Sequence, residues 1–260
     1  MSAEKIVKAQ ARQRLKEGGF SKVLFSFAII VVCFMITECV ASVESVLVDA
    51  LHPSEAIKFV ITVAVRSIVV AVAILLSPSV LSYFKMLYSD KKEYDISDAV
   101  YYFSNFKAYT RAVRFSFAYI VRMIIPAVVC YLPVAIVVAV DKYAFHGFMD
   151  GKVYTLTCCI LLILSTFALV VYSTRYYVAI KLFCDDESQP ISRCFVGSKI
   201  IMYGHTGDVL KLGFSFIFWI LLCILVMPIL YVLPYFTQAM CISGKWITQL
   251  TRNGTDNELF

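Results

Sequence analysis

A chain of 260 residues that is 60% hydrophobic and only 16% charged, with a mean hydropathy of +0.80, cannot cover itself with polar surface in water; an ordinary soluble domain carries about 25% charged residues. Its net charge of +6 comes from 24 Lys+Arg against 18 Asp+Glu. The basic residues flank apolar runs, which points to anionic lipid headgroups rather than nucleic acid as the counter-charge.

The chain opens on a basic amphipathic segment over residues 3–17. Ile6, Val7 and Leu15 supply its apolar side, and Lys5, Lys8, Arg12, Arg14 and Lys16 its cationic side. Gly18-Gly19 then breaks the helix and turns the chain into the bilayer. An in-plane helix on anionic lipid fits this pattern, as does a plain solvated topogenic tail. The apolar run that follows is too long for a signal-peptide core and reads as a retained first span.

Four runs reach the roughly 20 apolar residues that a bilayer core requires: about 23–48, 57–84, 112–140 and 153–180. A fifth apolar stretch, about 209–247, contains Pro228 and Pro234. Two short spans joined by a turn at residues 227–234 fit it. So does a single span followed by an interfacial helix. Lys85, Lys91, Lys92, Lys107, Arg111 and Arg114 lie between the second and third runs, and Arg175, Lys181, Arg193, Lys199 and Lys211 between the fourth and fifth. The opposite side holds only Lys58, Lys142 and Lys152. That asymmetry predicts a cytoplasmic N-terminus and cytoplasmic long loops.

Internal similarity sharpens the architecture. Phe25-Ser26-Phe27, Phe115-Ser116-Phe117 and Phe214-Ser215-Phe216 open the odd-numbered spans, and Lys85, Lys181 and Lys245, each followed by bulky apolar residues, close the even ones. Short basic amphipathic stretches at 3–17, 96–107 and 190–203 precede the three hairpins. The expectation is an all-α membrane protein: one six-transmembrane-helix bundle of three amphipathic-helix-plus-hairpin units, about 1–90, 91–186 and 187–250. A flexible cytoplasmic tail follows at 251–260, placing both termini inside. Shared habits of helix ends at an interface are the competing explanation of the repeat.

Ala9, Ala11-Arg12 and Leu15-Lys16, then Arg175-Tyr176-Tyr177 before Asp185-Asp186-Glu187-Ser188-Gln189-Pro190, resemble a known pattern. Ser198-Lys199, Phe214 to Trp219 and Leu233-Pro234-Tyr235 continue it. Together they resemble the bacterial multi-pass membrane family known as domain of unknown function 975. The likeness is good over residues 1–30 and 172–248 and rests on hydropathy between them. It implies a bacterial plasma-membrane protein and brings no catalytic residues. The family is distantly similar to the membrane domain of glycerophosphodiester phosphodiesterases, a multi-span partner that does not itself carry the chemistry.

Ionisable residues within lipid are the default functional candidates. Glu38 and Arg66 fall at similar depth in the first hairpin, roughly 14 Å from its outer end at 1.5 Å per residue, and are expected to pair. Glu38, Ser42, Ser45 and Asp49 form one stripe at helical spacing, with Glu44 offset from it. A helix-pairing role and an outward-facing proton or substrate cleft are both open, the structural role being favoured. Arg122 precedes Pro126 and Pro133, which fits either a broken-helix site or an arginine reaching the headgroups. Lys5, Lys8, Arg12, Arg14, Lys16, Lys85, Lys181 and Lys245 are candidate headgroup contacts. Cys184, Cys194 and His205 with Asp185 and Asp186 match no zinc spacing, so no metal or cofactor is expected. His52 and His146, with Glu55, Asp141 and Asp150, form at most an acidic outer rim. Of the nine cysteines, most lie in apolar runs, and none implies a disulfide.

No nucleotide-binding loop, nucleophile elbow or zinc-protease motif is present, and no enzyme activity is expected. The first functional expectation is a non-enzymatic component organising lipids or a partner protein at the inner leaflet. The alternative is a small transporter or channel with a mid-membrane polar site.

Overall fold

In the computed structural model, which describes residues 3–51, 54–89, 91, 93–143, 151–222 and 229–253, the chain is helical, with no strand among the described residues. Helix α1 (Ala3–Gly18) has Glu4 in its first turn and Lys16 in its last, each matched to the helix dipole. Gly19 (φ +91°) then admits a left-handed turn, and α2 (Phe20–Leu51) runs for 32 residues, about 48 Å. It returns as α3 (Glu55–Leu76). At Ser77 the chain bends into α4 (Pro78–Tyr88): Pro78 has no N–H to continue the ladder, and the Ser77 and Ser79 hydroxyls donate to Ile74 O and Leu76 O at 2.6 and 2.7 Å.

Two four-residue helices follow, α5 (Ile96–Ala99) and α6 (Tyr101–Ser104). Asp95 caps α5 by accepting from Ser97 N at 3.0 Å. The second long hairpin is α7 (Phe106–Tyr143) with α8 (Gly151–Ser173), and Pro126 and Pro133 lie inside α7. A 3-10 turn over Thr174–Tyr176 bends the chain into α9 (Ala179–Asp185), as Ser77-Pro78 does after the first hairpin. The remainder forms α10 (Ile191–Ile201), α11 (Thr206–Phe214), α12 (Ile217–Leu222) and α13 (Ile229–Asn253).

Among the described residues, four stretches are long and apolar enough to cross a membrane: Phe20–Ala50, Ala56–Tyr88, Phe106–Asp141 and Val153–Asp185. No more than 11% of any of their most apolar windows is buried inside the protein. Phe34, Ile125 and Ile163 stand 59, 72 and 68% exposed. Water would not tolerate that surface; hydrocarbon requires it. The two hairpins therefore project as lipid-facing pairs, touching each other through α3 and α7.

The packed core lies at one end, here the base, where both hairpins meet the short helices. One cluster joins Val7, Ala11 and Leu15 of α1 to Met86 and Leu87 of α4 and Tyr235 of α13. A second is aromatic: Phe115 of α7 lies between Phe183 of α9 and Phe195 of α10, with ring centroids at 4.3 and 5.0 Å. A third gathers Val178, Met202, Val209 and Ile247. The Phe-Ser-Phe triplets occupy different settings. Phe115 and Phe216 are buried, Phe25 and Phe214 are exposed, and the last triplet spans the joint between α11 and α12. The lysine endings share a setting more closely, since Lys85 and Lys181 both lie on the short helices that follow the two bends.

Candidate functional site

The charged residues of the first hairpin line a polar cleft of about 500 Å³ between α2 and α3, walled by Glu38, Ser42, Glu44, Asp49, Lys58 and Arg66. The expected Glu38–Arg66 pair does not form. Arg66 Nε lies 2.9 Å from Glu44 Oε2, and Thr62 Oγ1 donates to Glu44 Oε1 at 3.1 Å. Depth matching of Cα positions overlooked that side chains lean toward the N-terminus of their own helix. On antiparallel neighbours this leans Glu44 inward and Arg66 outward, closing a gap of about 5 Å along the axis. Glu38 stays exposed on the cleft wall.

Arg122 belongs elsewhere. It donates to Ala118 O at 2.9 Å, and its guanidinium stacks 4.2 Å from the Phe195 ring of α10, so it is part of the base. His52, His146 and Asp150 lie outside the described residues. Asp141 has one carboxylate oxygen buried without a hydrogen-bond partner.

The structure gives most of the expected headgroup cations protein partners. Lys8 Nζ donates to Ser215 O at 2.9 Å over the Phe216 ring, and burial pulls its pKa below the ordinary lysine value against the opposing field of Glu4. Arg14 donates to Ser89 O at 3.0 Å and to Lys91 O. Lys85 lies 2.6 Å from Glu187 Oε1, Lys181 pairs with Asp185, and Lys245 donates to Ser89 O at 3.5 Å. Lys5 and Lys16 are exposed, and Arg12 lies exposed over the Tyr235 ring at 5.4 Å. The apolar side of α1 is likewise spent on protein: Val7, Ala11 and Leu15 are buried against the base, with α13 packed on α1. An amphipathic face reads alike whether lipid or a partner helix covers it.

Three residues that sequence reading left among the loop charges hold structural positions. Arg111 donates to Asp186 O at 2.8 Å and to Gln189 O at 3.3 Å, and stacks 4.3 Å from the Phe183 ring, so it caps the C-terminal end of α9. Arg175 and Lys199 sit over Tyr172 and Tyr176 at 5.1 and 5.4 Å. Ser198 Oγ donates to Arg175 O at 2.9 Å and holds these two cations at one end of the base.

Beside them opens an apolar groove of about 790 Å³ between α8 and the α11–α13 side, floored by α4. Ile163, Phe167 and Val170 form its α8 wall, Gly213 and Phe214 the facing wall, and Tyr176 lies beneath the bend. Lipid-facing helices, an end-placed core and charges that cap or rim that core define a multi-helix membrane protein. The chain belongs to the family described as "Protein of unknown function (DUF975)", whose sequence profile matches residues 1–251. Neither the comparison with curated proteins nor that with solved structures gives a match.

Proposed function

We propose that this is a non-enzymatic multi-pass protein of the bacterial plasma membrane whose base organises lipid at the inner leaflet. One observation carries the reading: the base presents exposed Lys5, Arg12, Lys16, Lys107, Arg114 and Arg193 next to four lipid-facing helices. Exposed cations at a membrane surface recruit anionic headgroups, at about 1 kcal/mol per Lys or Arg. In this reading the base and both termini are cytoplasmic, in line with the lysine and arginine bias. In this reading α12 and the start of α13 form a shorter third hairpin that brings the crossings to six, while α13 from Tyr235 onward packs in the base. A partner protein docked on the same base is the related possibility.

The test is extraction of the full chain with its surrounding lipid in polymer discs. Mass spectrometry of the lipid should show anionic phospholipid enriched several-fold over the bulk membrane. A lipid composition equal to the bulk would remove the reading.

The polar cleft of α2 and α3 favours a second reading, a small transporter with a mid-membrane polar site, because Glu38 and Arg66 face an open space there. Proton or solute flux into vesicles, abolished by Glu38→Gln, would establish it; flux unchanged by that substitution would exclude the cleft.

A further inference from the structure

The groove beside α8 and the two cations next to it form a unit. Its walls are almost wholly apolar, and its 790 Å³ falls within the roughly 300–1,000 Å³ of small-ligand sites. The α8 residues Ile163 and Phe167 line the groove and are also lipid-exposed, so the groove is continuous with the hydrocarbon. Thr174 and Tyr176 of the bend line it; Arg175, between them in sequence, and Lys199, 5.4 Å from the Tyr176 ring, stand beside the groove without lining it. Both are exposed, and among the described residues no carboxylate lies within 4.0 Å of either. Their neighbours Lys181 and Lys211, by contrast, are paired with Asp185 and Asp208.

We infer that the groove holds one acyl chain of an anionic phospholipid whose phosphate is bound by Arg175 and Lys199. This rests on the lipid-organising reading above and names the lipid's seat. A groove open to the bilayer fills with hydrocarbon at no cost, because lipid tails are as apolar as its walls. Choice among lipids therefore falls to the headgroup end. There a guanidinium offers paired N–H donors and an ammonium a point charge, both suited to phosphate. Tyr172 and Tyr176 place both charges at an aromatic level typical of the membrane interface. Two cations with no carboxylate partner among the described residues meet an anionic headgroup there and discriminate against a zwitterionic one.

Gly213 provides the test. It lines the groove, and a Cβ built on it meets nothing within 4 Å, so Gly213→Phe fills open space without displacing the core. The full chain is purified with phosphatidylglycerol or phosphatidylethanolamine at defined ratios, and bound lipid is counted by native mass spectrometry. Wild type should retain one tightly held phosphatidylglycerol. Arg175→Gln with Lys199→Gln should weaken it about thirtyfold and remove the preference over phosphatidylethanolamine. Gly213→Phe should lose the tight lipid, with an unfolding temperature equal to that of wild type when both are stripped of lipid. If all variants keep wild-type retention, the groove is not the seat, although the base as a lipid organiser stands. Wild type with no headgroup preference overturns both. A lipid-free dimer, or a lipid-free monomer indifferent to added lipid, shows that protein fills the groove and also overturns the inference.

Discussion

Lys85 Nζ lies 2.6 Å from Glu187 Oε1 while its ammonium faces the Tyr101 ring at 3.2 Å, joining α4 to the loop after α9 across the base. Tyr101 Oη donates to the same carboxylate oxygen at 2.5 Å. Partial burial raises the Glu187 pKa, but the hydrogen bonds from Lys85 and Tyr101 together outweigh it and hold the carboxyl below its ordinary value. The folded state then binds fewer protons than the unfolded one. Its stabilisation is complete above the ordinary glutamate pKa of about 4.3 and is lost as the pH falls through the depressed folded value. Thermal unfolding in detergent should show a fall in midpoint at acid pH that is reduced in Glu187→Gln. An unchanged acid limb in that variant would remove Glu187 as its source.

Tyr94 carries a second polar link, donating from Oη to Gln238 Oε1 at 3.0 Å in a setting where both residues are buried. Tyr94→Phe leaves that amide oxygen unmet and should cost about 1–3 kcal/mol. Burial also pushes the Tyr94 phenol up to about 12, against the lowering effect of Arg14. Stability from this group is full below the ordinary tyrosine pKa of about 10 and declines as the pH rises toward its folded value. Ultraviolet titration of wild type and Tyr94→Phe should differ by one late-ionising phenol.

Glycine positions separate contact from conformation. A Cβ at Gly18 would lie 2.6 Å from Tyr94 Cδ2, a ring atom with no room to retreat, so Gly18→Ala should destabilise by about 1–3 kcal/mol. Gly19→Ala is strained by its positive φ. Gly207→Ala, facing open space in α11, should be neutral or slightly stabilising. Equal unfolding midpoints for all three variants would contradict these assignments.

In the first hairpin, Glu44 and Arg66 should couple and Glu38 and Arg66 should not. A double-mutant cycle on Glu44→Gln and Arg66→Met should return about 0.5–3 kcal/mol of coupling, whereas the Glu38→Gln cycle should return near zero. Coupling of Arg66 to Glu38 instead would reverse the pairing seen in the structure.

Hydropathy made the lipid-facing part of the fold legible, because a helix that faces hydrocarbon on nearly all sides must be apolar on nearly all sides. The runs expected at 23–48, 57–84, 112–140 and 153–180 correspond to Phe20–Ala50, Ala56–Tyr88, Phe106–Asp141 and Val153–Asp185. The base was much less legible. Val7, Ala11 and Leu15 advertise an apolar stripe without naming what covers it, and Lys8 reads as a surface cation although it reaches Ser215. Of the tail expected over 251–260, Thr251 to Asn253 belong to α13, and 254–260 lie outside the described residues. Arg175 and Lys199 were legible only as loop cations within family motifs, because 24 residues of sequence separate them and nothing in the spacing says that they meet. The bend at Thr174–Tyr176 and the Ser198 hydrogen bond bring them together.

The proposed topology makes its own prediction. A reporter fused after Phe260 should be active on the cytoplasmic side, and a cysteine at Ser54 should be labelled from outside. External labelling of the C-terminal fusion would leave an odd number of crossings.

The links that close the base join distant parts of the chain: Lys8 to Ser215 and Tyr83 to Thr237 are 207 and 154 residues apart. The two hairpins, in contrast, pack between consecutive helices and can enter the bilayer pairwise as they emerge during synthesis. The molecule is thus threaded into the membrane first and fastened last, when α13 arrives beside α1. Until then the apolar stripe of α1 has α4 and Tyr94 but not α13 to share its cluster, and a chain halted before α13 would remain inserted but unlatched.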